Sequence, residues 1–402
     1  MTSGKTANRG VGRGERRPAE SRSVARIAVD MPLAHLDRPF DYRVPDTLDA
    51  DAVPGCRVRV RFAGQLVDGY LLDRVEQSQH QGKLLFLERV VSPEPVLSPE
   101  IARLARVIAD RYAGTLADVL RLAVPPRHAR VEKEPPGEPA VPPAAPDLTG
   151  WRRYPLGPSY AEAVRAGRPA RAVWQALPME DWPTRLAEVA AEAASVGRGA
   201  LLVVPDHRDV TRLHAACREL LGESAVVALS ADLGPAERYR RWLSVRRGTV
   251  RVVIGTRAAM FAPIADPGLF VVWDDGDDLH AEPRAPGPHV RDVLAQRCHQ
   301  TGAALLIAGF ARTAESQLLV DSNWAHEIVA PRDTVRAAAP RVTAIGETDT
   351  QLARDPAARA ARLPSIAFQA ARAALAAAAP VLIQVPRRGY VPGLACGQCR
   401  VP

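Results

Sequence analysis

Thr249–Asp278, TVRVVIGTRAAMFAPIADPGLFVVWDDGDD, is the stretch from which the fold can be read. It holds two short apolar runs rich in β-branched residues, Val250–Ile254 and Leu269–Trp273. Each is closed by a turn signal, Gly255-Thr256-Arg257 and Asp274-Asp275-Gly276, so each reads as a buried strand. Acidic residues at the carboxyl end of a buried parallel strand sit where open α/β sheets bind ligands. In nucleotide-driven motors an Asp at that place holds Mg²⁺.

Working outward, the same grammar continues on both sides. Upstream, a helix is expected over Trp182–Val196, a strand at Ala200–Val204 and a helix over Asp209–Leu221. A strand at Val226–Leu229 and a helix over Ala236–Ser244 follow. Downstream come a helix over Val290–Gln300 and a strand at Ala303–Ala308. Strand alternating with helix means a parallel sheet, so residues 166–325 form one α/β lobe. Residues 326–390 begin a further lobe, with a helix from Pro364 to Ala379 and a strand at Val381–Val385. Before the lobe, residues 24–95 break into short alternating segments separated by turns, the pattern of a small β-barrel or sandwich. Residues 96–124 spell two short helices, with Ser98-Pro99-Glu100 as a helix start. Residues 125–165 are dense in Pro, Ala and Gly and read as a linker. Residues 1–23 are polar and basic with no periodicity, and a disordered tail is expected. Ser3-Gly4-Lys5-Thr6 mimics the end of a phosphate loop, but no strand precedes it and no apolar helix follows.

Composition narrows the partners. The chain has 402 residues, 47% of them hydrophobic, and a formal net charge of +8. That charge favours an anionic partner, nucleic acid first. The excess is arginine, since Lys5, Lys83 and Lys133 are the only lysines. No run of about 18 apolar residues exists, so no membrane span or membrane partner is expected. Cysteines without a secretory signal imply reduced thiols and a cytoplasmic, nucleoid-associated protein.

Four segments carry a resemblance. They are RIAVDMPLAHLDRPFDYRVP with GCRVRVRF near the start, GALLVVPDHRDV, the quoted stretch itself, and PRRGYVPGLACGQC near the end. In that order they resemble the bacterial replication-restart family PriA (primosomal protein N′). The resemblance implies a multidomain α/β protein. An N-terminal β-barrel DNA-binding module precedes a helicase-like, RecA-like lobe 1, the start of lobe 2, and the first CxxC of a zinc-binding region at 391–402. It implies DNA forks and single-stranded DNA as partners, together with other primosome proteins and the machinery that loads the replicative helicase. Within the barrel, Phe40-Asp41-Tyr42 matches the family's FDY, which grips the 3′-terminal nucleotide of a nascent strand. A carboxylate accepts from a base amino group and an aromatic neighbour stacks. Phe62-Ala63-Gly64 resembles the second edge of that pocket. Read from Phe40-Asp41-Tyr42 alone, the better expectation is that Phe40 and Tyr42 face the core and Asp41 sits in an exposed turn.

The motor motifs depart from the family. The family's GxxGxGKT falls on Ala176-Leu177-Pro178-Met179-Glu180-Asp181-Trp182-Pro183. A phosphate loop needs glycines for close backbone approach, a Lys for charge and a hydroxyl for Mg²⁺. Here no glycine remains, Trp182 stands at the Lys position and Pro183 at the hydroxyl position, while Glu180 and Asp181 bring negative charge. The acidic box is Asp274-Asp275-Gly276-Asp277-Asp278, with Asp275 a methylene shorter than the family's Glu. The coupling segment Gly309-Phe310-Ala311-Arg312-Thr313 has its hydroxyls displaced. These changes predict a restart protein that binds forks without ATP, Mg²⁺ or unwinding. The alternative is an ATP-dependent 3′–5′ helicase with a divergent nucleotide site. Cys396 and Cys399 have zinc-knuckle spacing, and two thiolates would need further ligands from a longer product.

Overall fold

Alternation along the first strands sorts their side chains onto two faces. In β1 (Val24–Val29), Ala25 and Ile27 are buried. In β3 (Arg57–Phe62), Val58 and Val60 are buried between outward arginines. With β2 (Phe40–Arg43), β4 (Gln65–Val75) and β5 (Arg89–Ser92) they form an antiparallel sheet of order β2-β1-β4-β3-β5. The two edges are stitched together. The Arg43 N–H donates to the Leu85 carbonyl and the Leu87 N–H to the Arg43 carbonyl, both at 2.8 Å. Leu85 to Leu87 lead into β5, so the sheet curls into a small barrel around Ile27, Tyr42, Val58, Leu71 and Leu87. Phe62-Ala63-Gly64 is the tight β3–β4 turn, with Ala63 and Gly64 both at positive φ.

The computed structural model describes residues 16–31, 33–230, 233–340, 342, 365–384 and 398–399. Of the tail expected over residues 1–23, residues 1–15 lie outside this description. Residues 16–23 are held against the barrel: Arg16 pairs with Glu88 at 2.9 Å, and Ala19 is buried. The reason is local, since the Ala19 N–H donates to the Val44 carbonyl.

Two capped helices follow, α1 (Pro99–Arg111) and α2 (Leu116–Ala123). Ser98 accepts from the Ile101 N–H, and Thr115 with Asp118 forms a capping box. Each cap is worth about 1 kcal/mol. Their apolar faces share one core with the lobe beyond, through Leu104, Ile108, Leu120, Val290 and Leu294. A short α3 (Ala129–Glu132) leads toward the lobe.

The lobe begins earlier than its composition suggests. Trp151 and Tyr154 are fully buried, and α4 (Gly157–Arg165) packs on the helix that follows β6 (Arg171–Gln175). Large aromatic side chains anchor what Pro and Ala content marks as linker. Then come α5 (Trp182–Ser195), β7 (Gly199–Val203), α6 (His207–Leu221), β8 (Val226–Leu229), α7 (Pro235–Arg246) and β9 (Val252–Gly255). Next are β10 (Pro267–Trp273), α8 (Val290–Thr301), β11 (Ala304–Gly309), α9 (Ala314–Asp321), β12 (His326–Ile328) and α10 (Arg332–Ala338). The sheet is parallel, of order β12-β6-β11-β10-β7-β9-β8. Its two apolar faces bury separate cores, which is why its strands read as continuous apolar runs. The carboxyl ends of β6, β10 and β11 come together, and the sequence between them forms the candidate nucleotide site.

Arg297 bolts barrel-side helix to lobe. Its fully buried guanidinium donates to the Met260 and Ala262 carbonyls at 2.8 and 3.0 Å and pairs with Glu100 of α1 at 2.9 Å. Barrel, helices and lobe form one unit through Ala339; residues from Pro340 form another. In that second unit a helix spans Ser365–Ala376. The strand expected at Val381–Val385 is not formed over 381–384, and Val385 lies outside the description. An apolar run becomes a strand only where a neighbour takes its backbone hydrogen bonds.

Candidate nucleic-acid interface and the closed nucleotide end

The barrel seam opens into a cleft of about 720 Å³. β2 supplies Phe40 and Asp41, and the β4–β5 loop returns across the seam with His80, Lys83 and Leu85. Arg26 and Arg38 complete the rim. Asp41 accepts from the Ser78 hydroxyl at 2.5 Å and lies 3.9 Å from Arg26. Phe40 meets Phe62 edge-on at 4.8 Å, and the Arg38 guanidinium lies 5.1 Å over the Phe40 ring. An anchored carboxylate beside an aromatic ring can accept from a base edge while the base stacks. Four cationic or imidazole side chains nearby can take the phosphates.

The expected residues divide here. Phe40 and Asp41 line the cleft as expected. Tyr42 also borders it, but its ring is buried in the barrel and its hydroxyl donates to the Arg61 carbonyl at 3.0 Å. Burial pushes that hydroxyl's pKa up to about 12. Phe62 supports Phe40 from behind, and Gly64 sits in the turn without lining the cleft. Arg26, Arg38, His80 and Lys83 were not singled out from sequence. The readable signal was Lys83, a rare lysine beside the Gly82 turn.

The carboxyl end of β6 has a different content. Trp182, in the first turn of α5, lies flat on Trp273, the last residue of β10, with ring centres 4.4 Å apart and planes at 11°. Phe310 closes on Trp273 edge-on at 5.3 Å, and Arg212 covers Trp182 at 5.2 Å. Such stacking is worth about 0.5–1.5 kcal/mol beyond the buried area. Pro183 follows in the same turn and removes a backbone donor. Glu180 turns inward: the Tyr154 hydroxyl donates to it at 2.7 Å, and Arg153 and Arg185 stand at 3.6 and 3.9 Å. The same Tyr154 oxygen accepts from the Leu177 N–H at 2.9 Å. Asp181 accepts from the Thr184 hydroxyl. Met179 is 95% exposed at φ +62, so the turn bulges outward.

The acidic box is split in role. Asp274, at φ +54, is exposed at the strand end, and partial desolvation followed by the neighbouring Asp277 raises its carboxyl pKa. Asp275 is buried and accepts from Arg291 at 2.9 Å and from the Thr313 hydroxyl at 2.7 Å. The sequence placed the coupling hydroxyls out of position; folded, Thr313 reaches the box because it caps α9 beside it. His280 is buried under the box, its Nε2 2.8 Å from the Trp273 carbonyl, and burial lowers its pKa. Of the two expected metal ligands, Cys399 is exposed and Cys396 lies outside the described residues. Among the described residues no cluster of three metal-ligating side chains occurs, and no helix is long and apolar enough to cross a membrane.

Comparison with known proteins shows what these features resemble. Residues 26–125 match the profile of the PriA 3′ DNA-binding domain (3′BD). The "Probable replication restart protein PriA" of Mycobacterium tuberculosis (strain ATCC 25618 / H37Rv) is 58% identical over 92% of this chain and 56% of its own length. The protein of the same name from Deinococcus radiodurans is 30% identical over 56% of this chain and 27% of its own. Among solved structures, the Pyrococcus furiosus Hef helicase domain aligns with 46% of this chain and 40% of its own at 18% identity, with a TM-score of 0.33. Similarity to the PriA family thus runs along nearly the whole chain, and the chain spans about half the length of the mycobacterial relative.

Proposed function

We propose that this protein recognises arrested or branched DNA forks by the 3′ end of a nascent strand and helps reload the replicative helicase, without unwinding DNA itself. One contrast carries the reading. The barrel keeps an open cleft with a fixed acceptor and a cationic rim, whereas the phosphate-loop position holds Trp182 stacked on Trp273. In the cleft, the terminal base donates its amino group to Asp41 and stacks beside Phe40, while Arg38 and Lys83 take the adjoining phosphates. At the sheet end, the residues present do not fit a nucleoside triphosphate. Its phosphates would need backbone N–H groups, a cation and a hydroxyl where an indole, a proline and two carboxylates stand.

The partners of this reading are DNA forks, single-stranded DNA, other primosome proteins and the helicase-loading machinery, in the cytoplasm at the nucleoid. Zinc enters through Cys396 and Cys399 only where a longer product adds ligands. Metal analysis of such a product after reducing, metal-replete purification tests this, and less than one zinc per chain refutes it.

A rival reading, an ATP-dependent 3′–5′ helicase, draws on one observation: the Asp275–Thr313 contact joins box to coupling segment. Two assays separate the readings. Forks ending in a 3′-hydroxyl should bind more tightly than forks blocked by 3′-phosphate; equal binding rejects the cleft. Fork-stimulated ATPase should stay at background, and turnover abolished by Asp274→Asn would favour the helicase.

A further inference from the structure

At the amino end of β6, away from both places described, a cleft of about 490 Å³ opens between α4 and β12. Its size lies within the roughly 300–1,000 Å³ typical of small-ligand sites. Trp324 lines it, with the Arg171 guanidinium held 4.5 Å over the indole. Arg168 adds a second, exposed guanidinium. Neither arginine has a carboxylate partner among the described residues, and no acidic residue lines the cleft. Two guanidinium groups without carboxylates on one cleft point to an anion.

Tyr160 of α4 supplies a second, independent sign. The residue is 6% exposed, and its buried hydroxyl has no hydrogen-bond partner among the described residues, yet Tyr160 lines the open cleft. Buried hydroxyls without partners are uncommon and mark a missing group. Burial also raises this phenol's pKa well above its usual value, so it stays protonated and able to donate.

Aromatic faces, a waiting hydroxyl donor and two free guanidinium groups match a base joined to a phosphate. We propose that this cleft holds one nucleotide of a single DNA strand, with its base against Trp324, a base oxygen or nitrogen on the Tyr160 hydroxyl, and its phosphates on Arg168 and Arg171. An acidic peptide would answer the cations but would leave the aromatic faces without their planar partner. The inference rests on the DNA-binding reading and adds a second strand contact, on the lobe, to the 3′-end cleft.

The test uses the full chain and a thymidine oligonucleotide with a blocked 3′ end, which removes the barrel cleft's contribution. Arg168→Glu with Arg171→Glu should lower its affinity roughly tenfold and reduce the salt slope by about two. Arg168→Glu alone, at an exposed position, should do so in part without touching the fold. Tyr160→Phe should cost about threefold with an unchanged slope. Photo-cross-linking from 5-iodouracil should map to Trp324 or Tyr160, and the preference for a 3′-hydroxyl fork should persist in every variant. Unchanged affinity and slope, with cross-links elsewhere and the 3′ preference intact, overturns this inference alone. Competition by free thymidine monophosphate as strong as by the oligonucleotide overturns it in favour of a mononucleotide site. Loss of polyglutamate binding in the double variant, with DNA binding unchanged, overturns it in favour of a peptide surface. Wild-type chain that binds no DNA overturns both the inference and the reading beneath it.

Discussion

At the barrel seam, Asp41 is held by Ser78 but still faces a cleft, and Phe40 keeps part of its ring accessible. At the end of β6, Trp182 lies on Trp273, Phe310 seals the edge, and Glu180 is turned inward onto Tyr154. The first arrangement leaves polar groups near solvent with room for a partner. The second uses its groups on one another, so its surface belongs to the core. A binding site and a packed core make opposite demands, because each atom already in van der Waals contact is unavailable to a guest. The lobe still holds the barrel: α1 and α2 share its core, and Arg297 joins it to Glu100.

The comparison can be broken most sharply at its packed end. Trp273→Ala should destabilise the protein by about 3–5 kcal/mol, read as a lower urea midpoint, with no gain in ATP binding. A loss well under 1 kcal/mol would mean that the stack is not part of the core. Arg297→Ala comes next, about 3 kcal/mol, because it leaves Glu100 and two carbonyls without their donor. Its sharper readout is hydrogen exchange, with protection lost in α1 and α8 together. In the cleft, Asp41→Ala should leave folding intact and reduce the preference for a 3′-hydroxyl end by about 1–3 kcal/mol. Phosphate-driven affinity should largely remain; an unchanged preference would place end recognition elsewhere.

The smallest effect is a pH dependence at Glu188, buried on α5. Burial raises the Glu188 carboxyl from its usual value to about 7, partly opposed by Arg185. Between about 4.5 and 7 the folded state therefore holds a proton that the unfolded state has released. Its contribution thus falls as pH rises through that window and is flat above it. Glu188→Gln should raise stability at pH 8 relative to wild type by on the order of 1 kcal/mol and change little at pH 4. Equal effects at both pH values would show that the carboxyl is not titrating there.

Much was legible before folding. The apolar runs at Val250–Ile254 and Leu269–Trp273 are strands with their ends shifted by at most two residues. Ser98 caps its helix, and Phe40-Asp41 lies in a cleft. These are local facts: a period, a cap, a short motif. Of the linker expected over 125–165, the part from Thr149 packs as lobe, because composition counts Pro and Ala while two aromatic anchors, Trp151 and Tyr154, decide the packing.

By itself, the sequence determined the parallel sheet, the barrel's alternation, and the absence of glycine, lysine and hydroxyl from Ala176 to Pro183. Those follow from residue type and spacing along the chain. Only the tertiary structure decided what the residues that stand there do. Trp182 and Trp273 are 91 positions apart, and nothing in either segment specifies that they stack. It likewise brought Lys83 and His80 over Asp41 by closing the barrel edge, and Thr313 onto Asp275 by setting β11 beside β10. Contacts between distant segments depend on how the layers come to rest, and a pattern read along one segment carries no term for that.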